Sequence, residues 1–142
     1  MADTRHARGL IDTSVVIDTS VVIDLALIDA VRLPLELAMS AITMAELSAG
    51  PHAASDSGER ARRQERLQRA EATFDPRPVD AAAARAYGRI DAAVAAAGRK
   101  AREARTADLL IAATAVAAGL PLYTRTPKDF AGRSALVEIV PV

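Results

Sequence analysis

Apolar residues occur along this chain in short runs and helical stripes that are separated by Gly, Pro and charged residues. The stretch 9–24 is nearly continuous in Val and Ile, and predicts a buried strand that leads into a helix. Residues 25–31 continue this helix, which Pro34 should end because a residue before proline disfavours the helical conformation. A second strand is predicted over 37–43, followed by a short helix that starts at Thr43 and stops at Gly50-Pro51.

The second half of the chain is dominated by helical periodicity. It predicts two long helices over 57–74 and about 80–97, and a third over 106–118 that Gly119 closes. Strands are expected at 122–124 and 136–140. Strands separated by helices predict the α/β class, with a central, mainly parallel sheet of four to five strands flanked by helices. In such sheets functional groups collect at the carboxyl ends of the strands.

Length and composition limit the number of domains, the location of the protein and the kind of metal that it could bind. The 142 residues fit a single domain over 1–142, with residues 1–8 as a flexible N-terminal tail. Apolar runs are too short to span a membrane and the N-terminus has no signal pattern, so we expect a cytoplasmic protein without membrane contact. Basic and acidic residues number 18 each, so any nucleic-acid contact must be local. Without cysteine and with two histidines, a bound metal should be a hard cation held by oxygen.

Three acidic residues stand at predicted starts of helices on otherwise apolar elements. Asp18 follows the predicted strand 15–17, Glu46 lies three residues after Thr43, and Asp108 lies in the first turn of the helix that starts at Thr106. Each has a structural alternative, as a helix cap, a capping box and a favourable dipole interaction respectively. Carboxylates brought together raise one another's pKa, and a divalent cation removes that penalty. Mg²⁺ or Mn²⁺ prefers such ligands and activates water for attack on a phosphodiester.

The first of these acids lies in a tandem repeat. Residues 12–17 and 18–23 are both Asp-Thr-Ser-Val-Val-Ile, so Asp12 has the same local sequence as Asp18. The repeat is too short and isolated to be a solenoid unit, and a local duplication is the simpler interpretation.

The segments 15–25, 40–47 and 107–130, which contain the three acids, resemble PIN-domain ribonucleases, specifically the toxins of VapBC-type toxin–antitoxin pairs. The resemblance implies a PIN-like fold and a Mg²⁺ site, with Mn²⁺ as a possible substitute. It implies that Asp18, Glu46 and Asp108 are catalytic residues and metal ligands of an endoribonuclease toxin that cleaves RNA phosphodiesters with metal-activated water. It also implies a cognate VapB-type antitoxin that blocks the cleft, and a homodimer.

Two departures from the family pattern affect this interpretation. The family often has Asn or Asp at the position of Thr126, so a fourth acid is either missing or supplied by Asp129 as a metal ligand. Asp18 is preferred over Asp12 because it aligns the pattern without a gap. Choosing Asp12 inserts six residues into the following helix, which rotates its apolar face by about 600°.

Basic residues occur in two dense groups. Glutamates are interspersed among the arginines of 60–69, which favours a solvated helix face. The group Arg99, Lys100, Arg102 and Arg105 leads to Asp108, and is the better candidate for phosphate contacts. The alternative to a ribonuclease is a weakened or inactive PIN-like module that binds RNA or the antitoxin, as Thr126 and the disturbed first motif suggest. Another phosphate-transfer enzyme is disfavoured because no Gly-rich phosphate loop occurs.

Overall fold

A computed structural model describes residues 6–20, 32–96, 106–130 and 136–142, with residues 18–20 described by their helical backbone alone. The described chain contains the elements β1 Arg8–Ile11, α1 Thr13–Ser20, β2 Glu36–Met39, α2 Ala41–Ala53, α3 Ser57–Thr73, α4 Ala81–Ala96, α5 Thr106–Ala118, β3 Leu122–Thr124 and β4 Ile139–Pro141. A 3₁₀ turn over Pro127–Phe130 follows β3.

The strands form one sheet in the order β2-β1-β3-β4, and every neighbouring pair is parallel. Parallel strands need crossover connections, which helices supply here. The predicted α/β class with a parallel sheet is confirmed, with four strands among the described residues. β1 is a central strand, and Leu10 and Ile11 are fully buried in it.

Helices cover both faces of this sheet. Because successive strand residues point to opposite faces, Leu10 and its partner Leu122 pack on one side with residues of α4 and α5. Ile11 and its partner Tyr123 pack on the other side with residues of α1, α2 and α3. The almost continuous apolar sequence of the strands therefore reflects burial on two faces.

The first strand differs most from the prediction. β1 ends at Ile11, and the predicted strand residues 15–17 belong to helix α1. The helix starts there because the carbonyl of Asp12 accepts hydrogen bonds from the N–H groups of Val15 and Val16, at 3.1 and 3.2 Å. The prediction of a strand that leads directly to Asp18 is therefore wrong.

The predicted flexible tail over residues 1–8 is wrong for its last three residues. The N–H of Leu35 donates to the carbonyl of His6 and the N–H of Glu36 donates to that of Ala7, and Arg8 is part of β1. Residues 1–5 lie outside the described residues. The organisation of 1–142 as a single domain stays a prediction.

Helix α2 begins earlier than predicted. The N-cap is Ser40, whose hydroxyl accepts a 3.1 Å hydrogen bond from the N–H of Thr43, so the predicted strand ends at Met39 rather than at Thr43. Pro51 lies inside this helix, which continues to Ala53.

The later elements agree well with the prediction. Helices α3, α4 and α5 occupy the predicted stretches, β3 matches 122–124, and β4 begins three residues later than expected. Gly119 follows α5 with a φ of 67°, the left-handed conformation typical of a helix C-terminus. The predicted helix over 25–31 and the basic group at 99–105 lie outside the described residues. None of the described helices is long and apolar enough to cross a membrane.

Candidate functional site

Polar side chains converge at the carboxyl edge of the sheet. Asp12 directly follows β1, and Thr124 is the last residue of β3. Helix α2 starts at this edge because it follows β2. Helix α5 leads into β3 and so runs antiparallel to it, which places the N-terminus of α5 at the same edge. The topology thus gathers the ends of four elements in one region, as expected for an open parallel sheet.

Asp12 is a buried carboxylate with a full set of hydrogen-bond donors. Only 4% of the residue is exposed. Oδ1 accepts hydrogen bonds from the Ser14 hydroxyl and from the Val15 N–H, and Oδ2 accepts a 2.6 Å bond from the Thr124 hydroxyl. Burial raises the pKa of the Asp12 carboxyl, while these hydrogen bonds act in the opposite direction. The carboxylate is fixed in position, but its charge is poorly solvated.

Hydroxyl groups connect the end of β3 to the start of α1. The N–H of Thr126 donates to the Thr124 hydroxyl at 2.9 Å, and the two hydroxyl oxygens are 3.2 Å apart. The N–H of Arg125 donates to the Ser14 hydroxyl at 3.1 Å. Thr124 and Ser14 therefore each contact Asp12 and the loop after β3.

Glu46 joins this region through Thr13, the neighbour of Asp12 in sequence. The Thr13 hydroxyl donates a 2.6 Å hydrogen bond to Oε1 of Glu46 and lies 3.1 Å from the hydroxyl oxygen of Thr43. The structural alternative for Glu46, a capping box with Thr43, is wrong, because Ser40 caps α2 and places Glu46 in the second turn. The Glu46 side chain bonds to α1 instead.

Two further acids of the predicted site, Asp108 and Asp129, lie in α5 and in the 3₁₀ turn after β3. Asp108 lies half-buried in the first turn of α5, at the same edge of the sheet as Asp12. Asp129 is exposed in the 3₁₀ turn, where its N–H donates to the carbonyl of Thr126. Within the described ranges, no three His, Asp or Glu residues are grouped closely enough to hold a metal ion. The structure thus connects Asp12 with Glu46 through Thr13, and the topology places Asp108 at the same edge of the sheet.

The structure places Asp12, and not Asp18, directly after β1. Asp18 is the sixth residue of α1, about 9 Å along the helix axis from Asp12, and the carboxyl end of β1 belongs to Asp12. Placing Asp18 at the strand end would shift Val15 into the position of Gly9. A Cβ at Gly9 would lie 2.6 Å from Cε1 of Tyr123 and 2.9 Å from Cγ of Pro34, so a valine does not fit there. The first repeat, and not the second, therefore follows β1, because the residue that precedes it at the crowded strand position is Gly9.

Sequence reasoning missed the hydroxyl residues around the acids. Thr13, Ser14 and Thr124 hold the carboxylates of Asp12 and Glu46. One signal was present, since Thr-Ser directly follows Asp12 and a threonine ends β3.

The donor chemistry of this edge suits a hard divalent cation. Its ligands would be carboxylate and hydroxyl oxygens, which Mg²⁺ and Mn²⁺ prefer. A cation beside Asp12 would also offset the cost of ionising a buried carboxyl group.

Comparisons with known proteins agree with this architecture. The family model for the PIN domain matches residues 10–131. Ribonuclease VapC5 from Mycobacterium tuberculosis is 38% identical over 141 residues, which is 98% of each chain. The crystal structure of a VapBC family member, VapBC-5, from the same organism aligns with a TM-score of 0.77 at 33% identity, covering 96% of this chain and 99% of that one. A structure of VapBC2 from Rickettsia felis, at 21% identity, shares the fold with a TM-score of 0.72, covering 93% of this chain and 98% of that one.

Proposed function

Because this chain belongs to the PIN-domain family, we propose that it is a metal-dependent endoribonuclease of the VapC type, a toxin that a cognate VapB-type antitoxin neutralises. The relative named ribonuclease VapC5 supports the reaction class. The similarity to a member of a toxin–antitoxin family supports the antitoxin as partner. The homodimer predicted from the sequence remains part of this proposal.

The observation that carries the proposal is the buried, hydrogen-bonded carboxylate of Asp12 at the end of β1, whose neighbour Thr13 bonds to Glu46. Although Oδ1 of Asp12 caps α1, burial raises the pKa of this carboxyl, so keeping it ionised costs stability and a functional explanation is favoured. We assign Asp12, rather than Asp18, as the first metal ligand, with Glu46 and Asp108 as the other two. When bound, Mg²⁺ or Mn²⁺ would polarise a phosphoryl oxygen and activate a water for attack.

The residues of this chain orient the acids for that chemistry. Ser14 and Thr124 fix both oxygens of Asp12, and Thr13 fixes one oxygen of Glu46. The Ser14 and Thr124 hydroxyls donate their protons to Asp12, which favours the ionised form needed for metal binding. Metal ligands held by such hydrogen bonds keep their orientation when the ion is absent.

The proposal is tested by cleavage assays on the full chain with single-stranded RNA and Mg²⁺. We expect EDTA to abolish cleavage, and D12N and D108N to lower its rate at least about 100-fold, because a metal contributes several kcal/mol of transition-state stabilisation. The matched control is D18N, which removes the same group from the second repeat and should keep near-wild-type activity. Full activity of D12N together with loss in D18N would show that the second repeat supplies the ligand.

A second candidate is an inactive PIN-like module that binds RNA or the antitoxin. It is favoured by the absence of a three-acid cluster within the part of the chain that the structure describes, and by Thr126. A metal titration separates the two functions. The ribonuclease predicts that Mn²⁺ raises the melting temperature of the wild type and not that of D12N, whereas the binding module predicts no rise in either.

A further inference from the structure

A cavity of about 220 Å³ opens beside Glu46, between helices α1, α2 and α3. It is lined by Thr13, Ile17, Glu46, Leu47, Gly50, Glu59, Arg63 and Arg66. Thr13 and Glu46 thus belong both to this cavity and to the candidate metal site. The opposite wall is formed by charged side chains of α3.

Arg66 differs from the other arginines of α3. Arg60 donates to the carbonyl of Pro51, and Arg62 donates to Glu59. Arg63 donates to Glu59 and to the carbonyl of Gly50, and Arg69 donates to Glu65. The Nε of Arg66 is buried without a hydrogen-bond partner, the one such side-chain nitrogen or oxygen in the described part of the protein.

Two acidic and two basic side chains line the cavity, of which Glu59 and Arg63 form a salt bridge and Glu46 accepts a hydrogen bond from Thr13. Glu59 is already engaged by two arginines, which lower the pKa of its carboxyl through their hydrogen bonds and charge. A guanidinium group stays charged at all relevant pH values, and a buried donor without an acceptor is unfavourable. Because Arg66 lines the cavity, an anion bound there would lie against its guanidinium group.

We propose that this cavity binds a backbone phosphate of the RNA substrate, next to the phosphate that is cleaved, and that Arg66 is the residue that contacts it. This inference rests on the proposed function, which places the cleaved phosphate beside Glu46. Arginine matches phosphate geometry with parallel hydrogen bonds, and such contacts position a nucleic acid without reading its sequence. The prediction that the arginines of 60–69 form a solvated face therefore does not extend to Arg66.

An RNA phosphate is favoured over a carboxylate of the antitoxin because the cavity shares Thr13 and Glu46 with the site of cleavage. A substrate chain that places one phosphate at the metal must place its neighbouring phosphates nearby. An antitoxin that blocks the cleft would also lie near Glu46, but blocking the cleft does not require a carboxylate at Arg66.

The test measures metal-free binding of a fluorescent 12-nucleotide single-stranded RNA pool by fluorescence anisotropy, in EDTA and at several salt concentrations. We expect R66Q to weaken binding about tenfold, because one charge-assisted contact is lost. The slope of log K against log salt should fall in magnitude by about 0.7, the value for one phosphate contact on a single strand. R69Q is the matched control on the same helix, because its partly exposed side chain pairs with Glu65 and neither residue lines the cavity, and it should change neither quantity.

One further variant and two further measurements make the result decisive. R66K keeps the charge without the planar fork, so it should restore the salt slope while binding remains weaker than in the wild type. Thermal melting should show R66Q at least as stable as the wild type, because an unsatisfied buried donor is removed. In Mg²⁺, R66Q should raise KM and leave kcat unchanged.

Equal RNA affinity and salt slope in R66Q and R69Q would overturn the inference. It would also be overturned if R66Q weakened binding of the antitoxin and not of RNA, since Arg66 would then contact a protein carboxylate. These binding measurements do not depend on whether the protein cleaves RNA. The proposed ribonuclease activity is contradicted by a different result, the absence of RNA cleavage by the wild type in Mg²⁺.

Discussion

The Thr124 hydroxyl donates a 2.6 Å hydrogen bond to the Asp12 carboxylate and connects the ends of two neighbouring strands. Both groups are buried, and 112 residues separate them in sequence. The same hydroxyl accepts the N–H of Thr126, so it fixes the carboxylate and the loop after β3 together. Thr124, like Ser14, therefore couples the loop to the candidate metal ligand.

Replacing Thr124 by valine should damage both stability and activity. T124V leaves Oδ2 of Asp12 without a donor and the N–H of Thr126 without its acceptor, so we expect the free energy of unfolding to fall by about 1–3 kcal/mol. RNA cleavage should fall because Asp12 is no longer held. T124S keeps the hydroxyl and should retain most activity. Urea denaturation and initial cleavage rates measure both effects.

The control for this substitution is T114V, another loss of a buried threonine hydroxyl. Thr114 donates to the carbonyl of Leu110 within α5 and contacts no acidic residue of the candidate site. T114V should keep the cleavage rate of the wild type. An equal loss of activity in T114V and T124V would show that the effect of T124V is general destabilisation.

Burial of Asp12 predicts a specific dependence of stability on pH. The pKa of Asp12 is raised above its ordinary value of 3.8, so the native state keeps its proton to higher pH than the unfolded chain. Stability contributed by the protonated carboxyl is fully present below 3.8 and is lost as pH rises through the raised pKa. Without metal, D12N should therefore be more stable than the wild type at pH 7, with the difference shrinking as pH falls towards 3.8.

Urea denaturation in EDTA across this pH range measures the difference. D80N is the control, because Asp80 is exposed and caps the start of α4, where asparagine caps about equally well. Its stability should stay within about 0.5 kcal/mol of the wild type. A D12N variant that is less stable than the wild type at pH 7 would contradict the assigned cost of burying this charge.

Two glycines provide a test of why the first repeat is used. An added Cβ at Gly9 would meet Tyr123 and Pro34 at less than 3 Å, whereas a Cβ at Gly88, in the middle of α4, would meet no atom within 4 Å. We expect G9A to lower the free energy of unfolding by about 1–3 kcal/mol through overpacking. G88A should raise it by about 0.5–1 kcal/mol, since glycine is unfavourable inside a helix. Thermal or urea denaturation measures both, and equal effects would show that Gly9 does not constrain β1.

The elements that sequence predicted well are those with local signals. Helices α3, α4 and α5 have apolar stripes, and breakers such as Gly119 and the prolines at 76 and 78 mark their ends. Such signals act within a few turns of the chain, so they can be recognised without the rest of the fold.

The start of the chain could not be predicted in this way. The two hexapeptides are identical, and Val and Ile suit a buried strand as well as a buried helix. Contacts of Gly9 with Tyr123 and Pro34 distinguish the two registers, and they depend on residues distant in sequence. The bonds from Thr124 to Asp12 and from Thr13 to Glu46 are equally non-local, which is why the acids were predicted more easily than the hydroxyls that hold them.

Thr126 offers a way to decide which residue supplies a fourth ligand. Its hydroxyl oxygen lies 3.2 Å from that of Thr124, which in turn contacts Asp12, whereas Asp129 is exposed in the following 3₁₀ turn. T126D adds a carboxylate beside Asp12, so the metal-free protein should be less stable through like-charge repulsion, and Mn²⁺ should bind about tenfold more tightly. T126N adds an oxygen without charge and controls for side-chain size. D129N should leave the Mn²⁺-induced rise in melting temperature unchanged. If D129N instead abolishes that rise while T126D has no effect, Asp129 is the fourth ligand and the loop after β3 closes on the metal from its 3₁₀ turn.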